Sequence, residues 1–284
     1  MKKYLILFLL SVWFSFAANA THDNNPIGAR SAGMGNASVT FSDFWSSQNN
    51  QAGLGFYTHT AAAIYYEDRF LTKELSLKSG AFVLPTNSGV LAVTINDFGY
   101  KNYNEKKIGL AYGKAFSNKF SVGIQLDYLH TYIAENYGSK SNITFEAGLL
   151  YRMNSKISIG AHVFNPVNIK LTDYNNERIP ALMQLGLSYK FSDKVLAAVE
   201  TEKDLQHKAI LKAGLEYKVI KEIYLRAGIS SNPLLNTFGF GLEFGKVKFD
   251  FASSYHATLG YSPQISFIYC FSDHKDKNKP SLTK

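Results

Sequence analysis

Cysteine is nearly absent from this sequence of 284 residues, in which Cys270 is the only one. A single thiol cannot form a disulfide within the chain, and it cannot supply the set of cysteine ligands that a structural zinc site needs. Cys270 lies within the apolar stretch of residues 268–271. We therefore expect it to be a buried packing residue rather than a reactive thiol.

Long hydrophobic runs are also absent after residue 20, so no later segment offers the roughly 20 apolar residues that a membrane-spanning helix requires. The first 20 residues contain a shorter run, residues 5–16, which follows Lys2 and Lys3 and precedes Ala18-Asn19-Ala20. This order is typical of a secretory signal peptide, which we predict for residues 1–20. The alternative, a single membrane helix, is disfavoured because the run is short.

Motifs for catalysis and metal binding are missing as well. The histidines show no spacing typical of metal ligands, and no Gly-x-Ser-x-Gly motif is present. Gly33 and Gly35 form a Gly-x-Gly pair, but the third glycine and the βαβ context of a nucleotide site are lacking. We expect no enzyme, metal or cofactor. One alternative stays open, a barrel esterase assembled from separate strands, because His162 and His256 have the parity to face inward.

The charge is positive, with 30 Lys and Arg against 22 Asp and Glu and a formal value of +8. A basic chain can bind nucleic acid when its positive residues form one patch. Here they are spread over many predicted strands and turns. We interpret them as a solvated surface beside a membrane and expect no nucleic-acid partner.

Two-residue alternation is what the sequence has in abundance. In residues 119–128, Phe120, Ile124 and Leu126 fall on one face of an extended chain, whereas Gly123 and Gln125 fall on the other. The pattern recurs down the chain, with Phe, Leu, Ile and Tyr on one face and small or polar residues on the other. Bulky apolar residues outside and small residues inside favour a barrel whose outer surface contacts lipid.

Fourteen antiparallel strands are predicted in residues 58–271, as an all-β, up-and-down transmembrane barrel. Their predicted ranges are 58–67, 73–84, 87–97, 105–117, 118–132, 141–153, 154–164, 180–191, 193–201, 207–219, 221–231, 235–245, 246–256 and 262–271. Tight turns alternate with mostly longer loops, as in outer-membrane barrels, and an even strand count places both termini in the periplasm. Residues 165–174, in the longest loop, are the candidate outer contact surface. Residues 272–284 are predicted to form a loose periplasmic tail.

Aromatic residues are predicted at both rims of the barrel, where membrane interfaces would lie. Those near the short turns are Phe116, Phe120, Tyr151, Tyr189, Phe191, Tyr217, Phe244 and Phe271. Those near the longer loops are Tyr100, Tyr103, Tyr128, Tyr132, Tyr137, Tyr255 and Tyr261.

Residues 21–57 do not alternate, and they carry a resemblance to a known family. Residues 28–37 read Gly-Ala-Arg-Ser-Ala-Gly-Met-Gly-Asn-Ala, and residues 50–54 read Asn-Gln-Ala-Gly-Leu. The stretch resembles the start of mature PorV/PorQ-type outer-membrane proteins of Bacteroidetes and, more distantly, the FadL-like fatty-acid transporters. Gln51 stands where that family usually has proline.

The resemblance implies that residues 21–57 form a hatch at the periplasmic end of an outer-membrane barrel of a Gram-negative bacterium. Its motif residues would be Gly28, Arg30, Gly33, Gly35, Asp43, Trp45, Asn50 and Gly53. The implied function is a part in type IX protein secretion, with secretion-system subunits or secreted proteins as partners besides the membrane lipid. The alternative is a FadL-like channel for a small hydrophobic ligand.

The polar strand faces would place a set of side chains in the lumen. These are Gln125, Asp127, Thr144, Glu146, Arg152, Lys212, Glu216, Arg226, Glu243, Lys248 and Asp250. They could form a polar path or ligand contacts, or they could be ion pairs that fill a narrow barrel and hold the hatch. We favour ion pairs, because charges buried in a lumen require partners in either case.

Overall fold

A computed structural model of the chain describes residues 26–134, 138–170, 178–204 and 208–273. The strands within these ranges are β1 His59–Asp68, β2 Ser76–Pro85, β3 Val90–Tyr100, β4 Tyr103–Ala115, β5 Phe120–Ile133, β6 Gly138–Arg152, β7 Ile157–Phe164, β8 Leu182–Lys190, β9 Val195–Lys203, β10 Ile210–Ile220, β11 Ile223–Ser230, β12 Leu235–Phe244, β13 Val247–His256 and β14 Gly260–Asp273.

Every strand pairs antiparallel with its sequence neighbours, and β1 also pairs with β14. The sheet is therefore a closed barrel of fourteen strands, which confirms the predicted all-β architecture. Strand ends differ from the prediction by three residues at most. At the first loop the difference has a local cause, since Arg69–Leu71 and Lys73–Leu75 form short 3₁₀ helices before β2 begins at Ser76.

The two faces of the sheet differ as the alternation predicts. On β5, Leu126 is 56% exposed on the outer face, whereas the neighbouring Gln125 is 2% exposed on the inner face. Large apolar side chains such as Ile64, Leu110 and Ile143 are more than half exposed on the outer face as well. An apolar outer face and a buried polar inner face are the reverse of a water-soluble sandwich.

Residues 26–57, here called the N-terminal segment, precede β1 and lie inside the barrel. The segment contains helix α1 (Ala29–Gly33), helix α2 (Ser46–Asn49) and a 3₁₀ helix (Gln51–Phe56). Nearly all of it is buried, because it contacts the inner face of many strands from β3 round to β14. None of the helices among the described residues is long and apolar enough to cross a membrane.

Two predictions concern the ends of the chain. Residues 1–20, the predicted signal peptide, lie outside the described residues. The predicted tail begins at residue 272, but β14 continues to Asp273, and the remainder of the tail lies outside the described residues.

Candidate functional site in the barrel interior

A belt of glycines lines the inner face of the barrel against the N-terminal segment. Its members, here called the glycine belt, are Gly113, Gly123, Gly148, Gly160, Gly186, Gly214 and Gly228. Several are direct partners on neighbouring strands, as are Gly113 with Gly123 and Gly214 with Gly228. A β-carbon at Gly214 would lie 2.7 Å from the Cα atom of Met34, closer than atoms can approach. Only glycine therefore lets the strands and the segment meet backbone to backbone.

The glycines of the predicted hatch motif have similar packing roles. Gly28 has a φ of +103°, and a β-carbon there would lie 2.6 Å from the Cγ atom of Trp45. Gly35 has a φ of +65° and fits between the backbones of Ala213 and Ile229. A β-carbon on Gly53 would lie 2.5 Å from the Ser46 hydroxyl, whereas one on Gly33 would meet its nearest neighbour only at 3.2 Å. Backbone conformation and close packing explain these motif residues.

Arg30 of the segment is the centre of a cluster of ion pairs. Its Nε and Nη2 atoms donate to the two carboxylate oxygens of Glu216 at 2.8 and 2.7 Å, and Nη1 donates to Asp43 at 2.9 Å. Arg226 donates to Glu216 at 2.7 Å and to Asp250 at 2.6 Å. Burial would lower the pKa of Arg30, but the carboxylates of Glu216 and Asp43 outweigh burial and raise that pKa. The cluster fastens the segment to β10.

A second polar network is built around Glu146 on β6. Its Oε2 atom accepts hydrogen bonds from the Gln51 side-chain amide at 2.7 Å and faces the His162 Nε2 atom at 3.0 Å. Its Oε1 atom pairs with the Lys107 ammonium group. Gln125 donates to Asp127 at 2.7 Å in the same network. The Gln51 side chain thus joins the N-terminal segment to β6 through a buried hydrogen bond.

Asn50 and Glu200 satisfy the backbone of the segment. The Asn50 side chain accepts from the Ala52 N–H group at 3.1 Å and donates to the Val39 carbonyl at 2.6 Å. One Glu200 oxygen accepts from the N–H groups of Ser38 and Val39 at 2.8 and 2.9 Å. Its other oxygen accepts from Lys212 on β10 at 3.1 Å. These contacts supply partners that buried backbone groups require.

Two predicted lumen residues are less enclosed than expected. Arg152 is half-buried, and its guanidinium group lies over the Phe56 ring at 3.6 Å. The Glu243 side chain is 36% exposed and pairs with Lys248 at 2.9 Å. Both lie near the short-turn ends of their strands, where the inner face opens, rather than in the middle of the barrel.

Aromatic side chains form an apolar part of the interior, here called the apolar sector. The ring centroids of Phe44 and Trp45 lie 5.1 Å apart, Trp45 lies 6.0 Å from Tyr65, and Phe44 lies 6.2 Å from Tyr57. The rings belong to one buried cluster with small and aliphatic side chains of the neighbouring wall: Ala61, Ala63, Leu77, Val83, Val90, Ala92, Ala111 and Ile268. The interior therefore contains an apolar cluster beside its polar networks, and the Tyr65 hydroxyl joins the two by donating to Gln264 at 3.1 Å.

A cavity of about 480 Å³ lies at the short-turn end, between the N-terminal segment and strands β8–β14, with His59 at the start of β1. Phe44, Trp45 and Tyr57 of the apolar sector form part of its wall. Charged side chains that include Arg30 and Glu216 form another part. The cavity thus borders both the apolar sector and the ion-pair cluster.

At the opposite end, Asn165 and Ile179 of the connection between β7 and β8 are buried inside the barrel. Asn165 is fully buried, donates to the Ile179 carbonyl at 2.7 Å and accepts from the Thr144 hydroxyl at 2.8 Å. Ile179 packs with Leu129 and Phe164 in a buried cluster. The prediction that residues 165–174 form an outer contact surface is therefore wrong for Asn165, because its amide is needed inside. Residues 171–174 lie outside the described residues.

Several buried residues of the inner face are not among the side chains that the sequence predicts for the lumen. These are Lys107, Gln184, Glu200 and Glu202, all of which are nine-tenths or more buried. Strand parity was the available signal, since each alternates in phase with inward residues. His162, an esterase candidate, faces Glu146 and, at 2.9 Å, the amide oxygen of Gln184. No group of three or more His, Cys, Asp and Glu side chains that could hold a metal occurs in the described part of the chain.

Solved structures similar to this chain are channels. The CymD monoaromatic hydrocarbon channel is 15% identical, with a TM-score of 0.69 over 89% of this chain and 100% of its own. The toluene transporter TodX of P. putida is 13% identical, with a TM-score of 0.66 over 89% and 100%. A FadL homologue of Pseudomonas aeruginosa is 11% identical, with a TM-score of 0.63 over 87% and 98%.

Comparisons of sequence give no match. No protein-family model matches the chain, and no curated protein matches it. The similarity to the FadL-type channels is therefore one of fold. The PorV/PorQ resemblance of residues 28–54 has no counterpart in these comparisons and stays a prediction.

Proposed function

We propose that this protein is an outer-membrane channel for small hydrophobic molecules. The apolar sector is the observation that carries the proposal. Barrels that conduct water-soluble solutes have polar interiors. Here the rings of Phe44, Trp45, Tyr57 and Tyr65 contact one another inside the barrel, and they pack beside apolar side chains of the barrel wall.

The outer face supports the membrane location. Exposed Leu, Ile, Val and Phe side chains cover it, and a surface of this kind is stable only against lipid or a protein partner. The fold is that of channels whose names specify toluene and monoaromatic hydrocarbons. We place the short-turn end, with both chain termini, in the periplasm, and we assign the N-terminal segment the role of the hatch.

The apolar sector leads to the 480 Å³ cavity, because Phe44, Trp45 and Tyr57 belong to both. A small aromatic molecule that displaced these side chains would exchange ring contacts with Phe44 and Trp45 for contacts of the same kind. It would then reach the cavity at the short-turn end. The ion-pair clusters would hold the remainder of the hatch in place.

Trp45 makes the proposal directly testable. The sequence has two tryptophans, Trp13 and Trp45, and removal of residues 1–20 would leave Trp45 as the only one. We expect toluene to change the Trp45 fluorescence of the folded, detergent-solubilised protein in a saturable manner. The control is Trp45→Phe combined with Phe191→Trp, which moves the reporter to an exposed position at the short turns. An equal, unsaturable response from both reporters would indicate only partition into detergent and would refute the site.

A second candidate, participation in type IX secretion, is favoured by the resemblance of Gly28, Arg30, Gly33 and Gly35 to the PorV/PorQ start. Those residues also have packing roles that any enclosed segment would require. Proteomics of the culture medium from a deletion strain would separate the two candidates. Loss of many secreted proteins, with their precursors in the periplasm, supports secretion, whereas an unchanged set of secreted proteins supports the channel.

A further inference from the structure

The short turns of the barrel share a composition that the channel function does not explain. Five of the six short turns in the described chain contain an exposed lysine: Lys119, Lys156, Lys194, Lys221 and Lys246. In each case an exposed apolar residue stands one to three positions before the lysine: Phe116, Met153, Phe191, Ile220 and Phe244. The turn between β2 and β3 is the exception.

Few acidic residues compensate for these lysines. Asp193 lies in one of the turns, but it pairs with Lys190 on β8 at 2.8 Å. Glu222, in another turn, is half-buried. The five lysines, here called the lysine rim, therefore give this end of the barrel a positive edge from β4 round to β13.

A belt of aromatic residues lies on the outer face next to the lysine rim. Phe120, Tyr151, Tyr217 and Phe271 are exposed there, close to the short turns. Aromatic residues of membrane proteins occupy the headgroup level of the bilayer. Lysine side chains in the turns beyond such an aromatic belt are long enough to reach the lipid phosphates of the same leaflet. Each lysine at this level adds to the attraction of anionic lipid.

We infer that the lysine rim binds the phosphate headgroups of anionic phospholipids in the leaflet at the short-turn end. The distribution of the rim argues for a membrane surface rather than a protein. A protein partner would select a patch on one side of the barrel, whereas the rim follows most of its circumference. The inference rests on the membrane-spanning barrel of the proposed function and does not depend on the hydrophobic substrate.

Native mass spectrometry of the full mature protein in neutral detergent tests this inference. Cardiolipin and phosphatidylcholine are added separately, and the number of lipids that stay bound is measured. The rim variant replaces Lys119, Lys156, Lys221 and Lys246 with Gln and keeps Lys194, because Lys194 also lines the 480 Å³ cavity. The matched control replaces the same number of exposed lysines at the loop end with Gln: Lys73, Lys78, Lys101 and Lys106.

We expect the wild type and the control variant to retain cardiolipin in preference to phosphatidylcholine. The rim variant should bind cardiolipin at least about tenfold more weakly, because each lysine near the membrane surface adds to the attraction. Equal cardiolipin retention by the rim variant, equal loss by the control variant, or equal binding of phosphatidylcholine by the wild type would each overturn the inference.

Two further measurements keep this result separate from the channel proposal. A gel with unheated and heated samples shows whether each variant is a folded barrel. The toluene titration of Trp45 fluorescence should be the same in the rim variant as in the wild type. A rim variant that loses cardiolipin but keeps the toluene response supports the lipid site. If cardiolipin retention and the toluene response are lost together, the loss has a cause other than the rim, and the inference is overturned.

Discussion

Gly123 on β5 lies directly against the carbonyl group of Gln51, so the barrel wall and the N-terminal segment touch through their backbones. A methyl group at this position would overlap the segment. We predict that Gly123→Ala lowers the free energy of unfolding by about 1–3 kcal/mol, the usual cost of overpacking. Unfolding by guanidinium in lipid vesicles measures this loss in the free energy of unfolding. Gly80→Ala is the control, because a β-carbon there meets no atom closer than 3.5 Å. Equal losses in the free energy of unfolding for the two substitutions would show that the N-terminal segment shifts to accommodate the added methyl group.

The Arg30 cluster should contribute strongly to stability. Replacing Arg30 with Met leaves Asp43 without the guanidinium that now pairs with it, and removes one of the two arginines bound to Glu216. We expect a loss of about 3–5 kcal/mol, as for other buried pairs that lose one partner.

The comparison for the Arg30 cluster is an exposed ion pair of the same molecule. Lys190 pairs with Asp193 at 2.8 Å, but the Asp193 side chain is 97% exposed and the Lys190 side chain 47% exposed. Lys190→Met should therefore cost less than about 1 kcal/mol. Both values come from unfolding curves in the same vesicles. Arg30→Met with a cost as small as that of Lys190→Met would contradict a holding role for Arg30.

The lipid-facing surface can be tested at Leu126, which is 56% exposed on the outer face. Leu126→Arg should lower the free energy of unfolding in vesicles by about 2–4 kcal/mol, since arginine is costly near the middle of a bilayer. Leu126→Met keeps the surface apolar and should cost less than about 1.5 kcal/mol. If arginine and methionine were tolerated alike, this part of β5 would face water.

Phe44 in the apolar sector offers a test that combines stability with ligand binding. Phe44→Ala removes a fully buried ring and should cost about 3–5 kcal/mol. An apolar space of this kind can take up a small aromatic molecule. Toluene should therefore raise the melting temperature of Phe44→Ala more than that of the wild type, as measured by thermal unfolding in detergent. A toluene effect on the variant no greater than that on the wild type would argue against an accessible sector.

Closure of the barrel by β1 and β14 predicts a simple electrophoretic property. Closed barrels resist detergent until they are boiled, so the unheated protein should migrate faster than the heated protein in a detergent gel. Identical migration of the two samples would contradict a closed barrel.

The sequence predicts the wall of this protein well and its interior poorly. The alternation of Leu126 with Gln125 is local, because it depends only on strand geometry, and it correctly separates outside from inside. The pairing of Lys107 with Glu146 depends on how β4, β5 and β6 align, which no single strand specifies. Likewise, the need for glycine at position 123 comes from a segment 72 residues earlier in the chain, at Gln51.

The partners of the short segments are equally hard to predict. A family resemblance singles out Gly28, Arg30 and Trp45. What each residue does physically follows only from its contacts in the structure. Asn165 shows the reverse case. It belongs to a loop by composition, yet its buried amide links Thr144 with Ile179. Nothing in the local sequence distinguishes such an asparagine from an exposed loop residue.

The enclosure of residues 26–57 has a consequence for assembly. The segment precedes β1 in the chain, yet hydrogen bonds and backbone contacts join it to strands as distant as β10 and β11. A finished cylinder would have to admit the segment through one of its ends. It is simpler for the strands to wrap around the segment while the sheet is still open. The pairing of β1 with β14 would then be the last step in the assembly of the barrel. The segment would serve as the template around which the strands assemble.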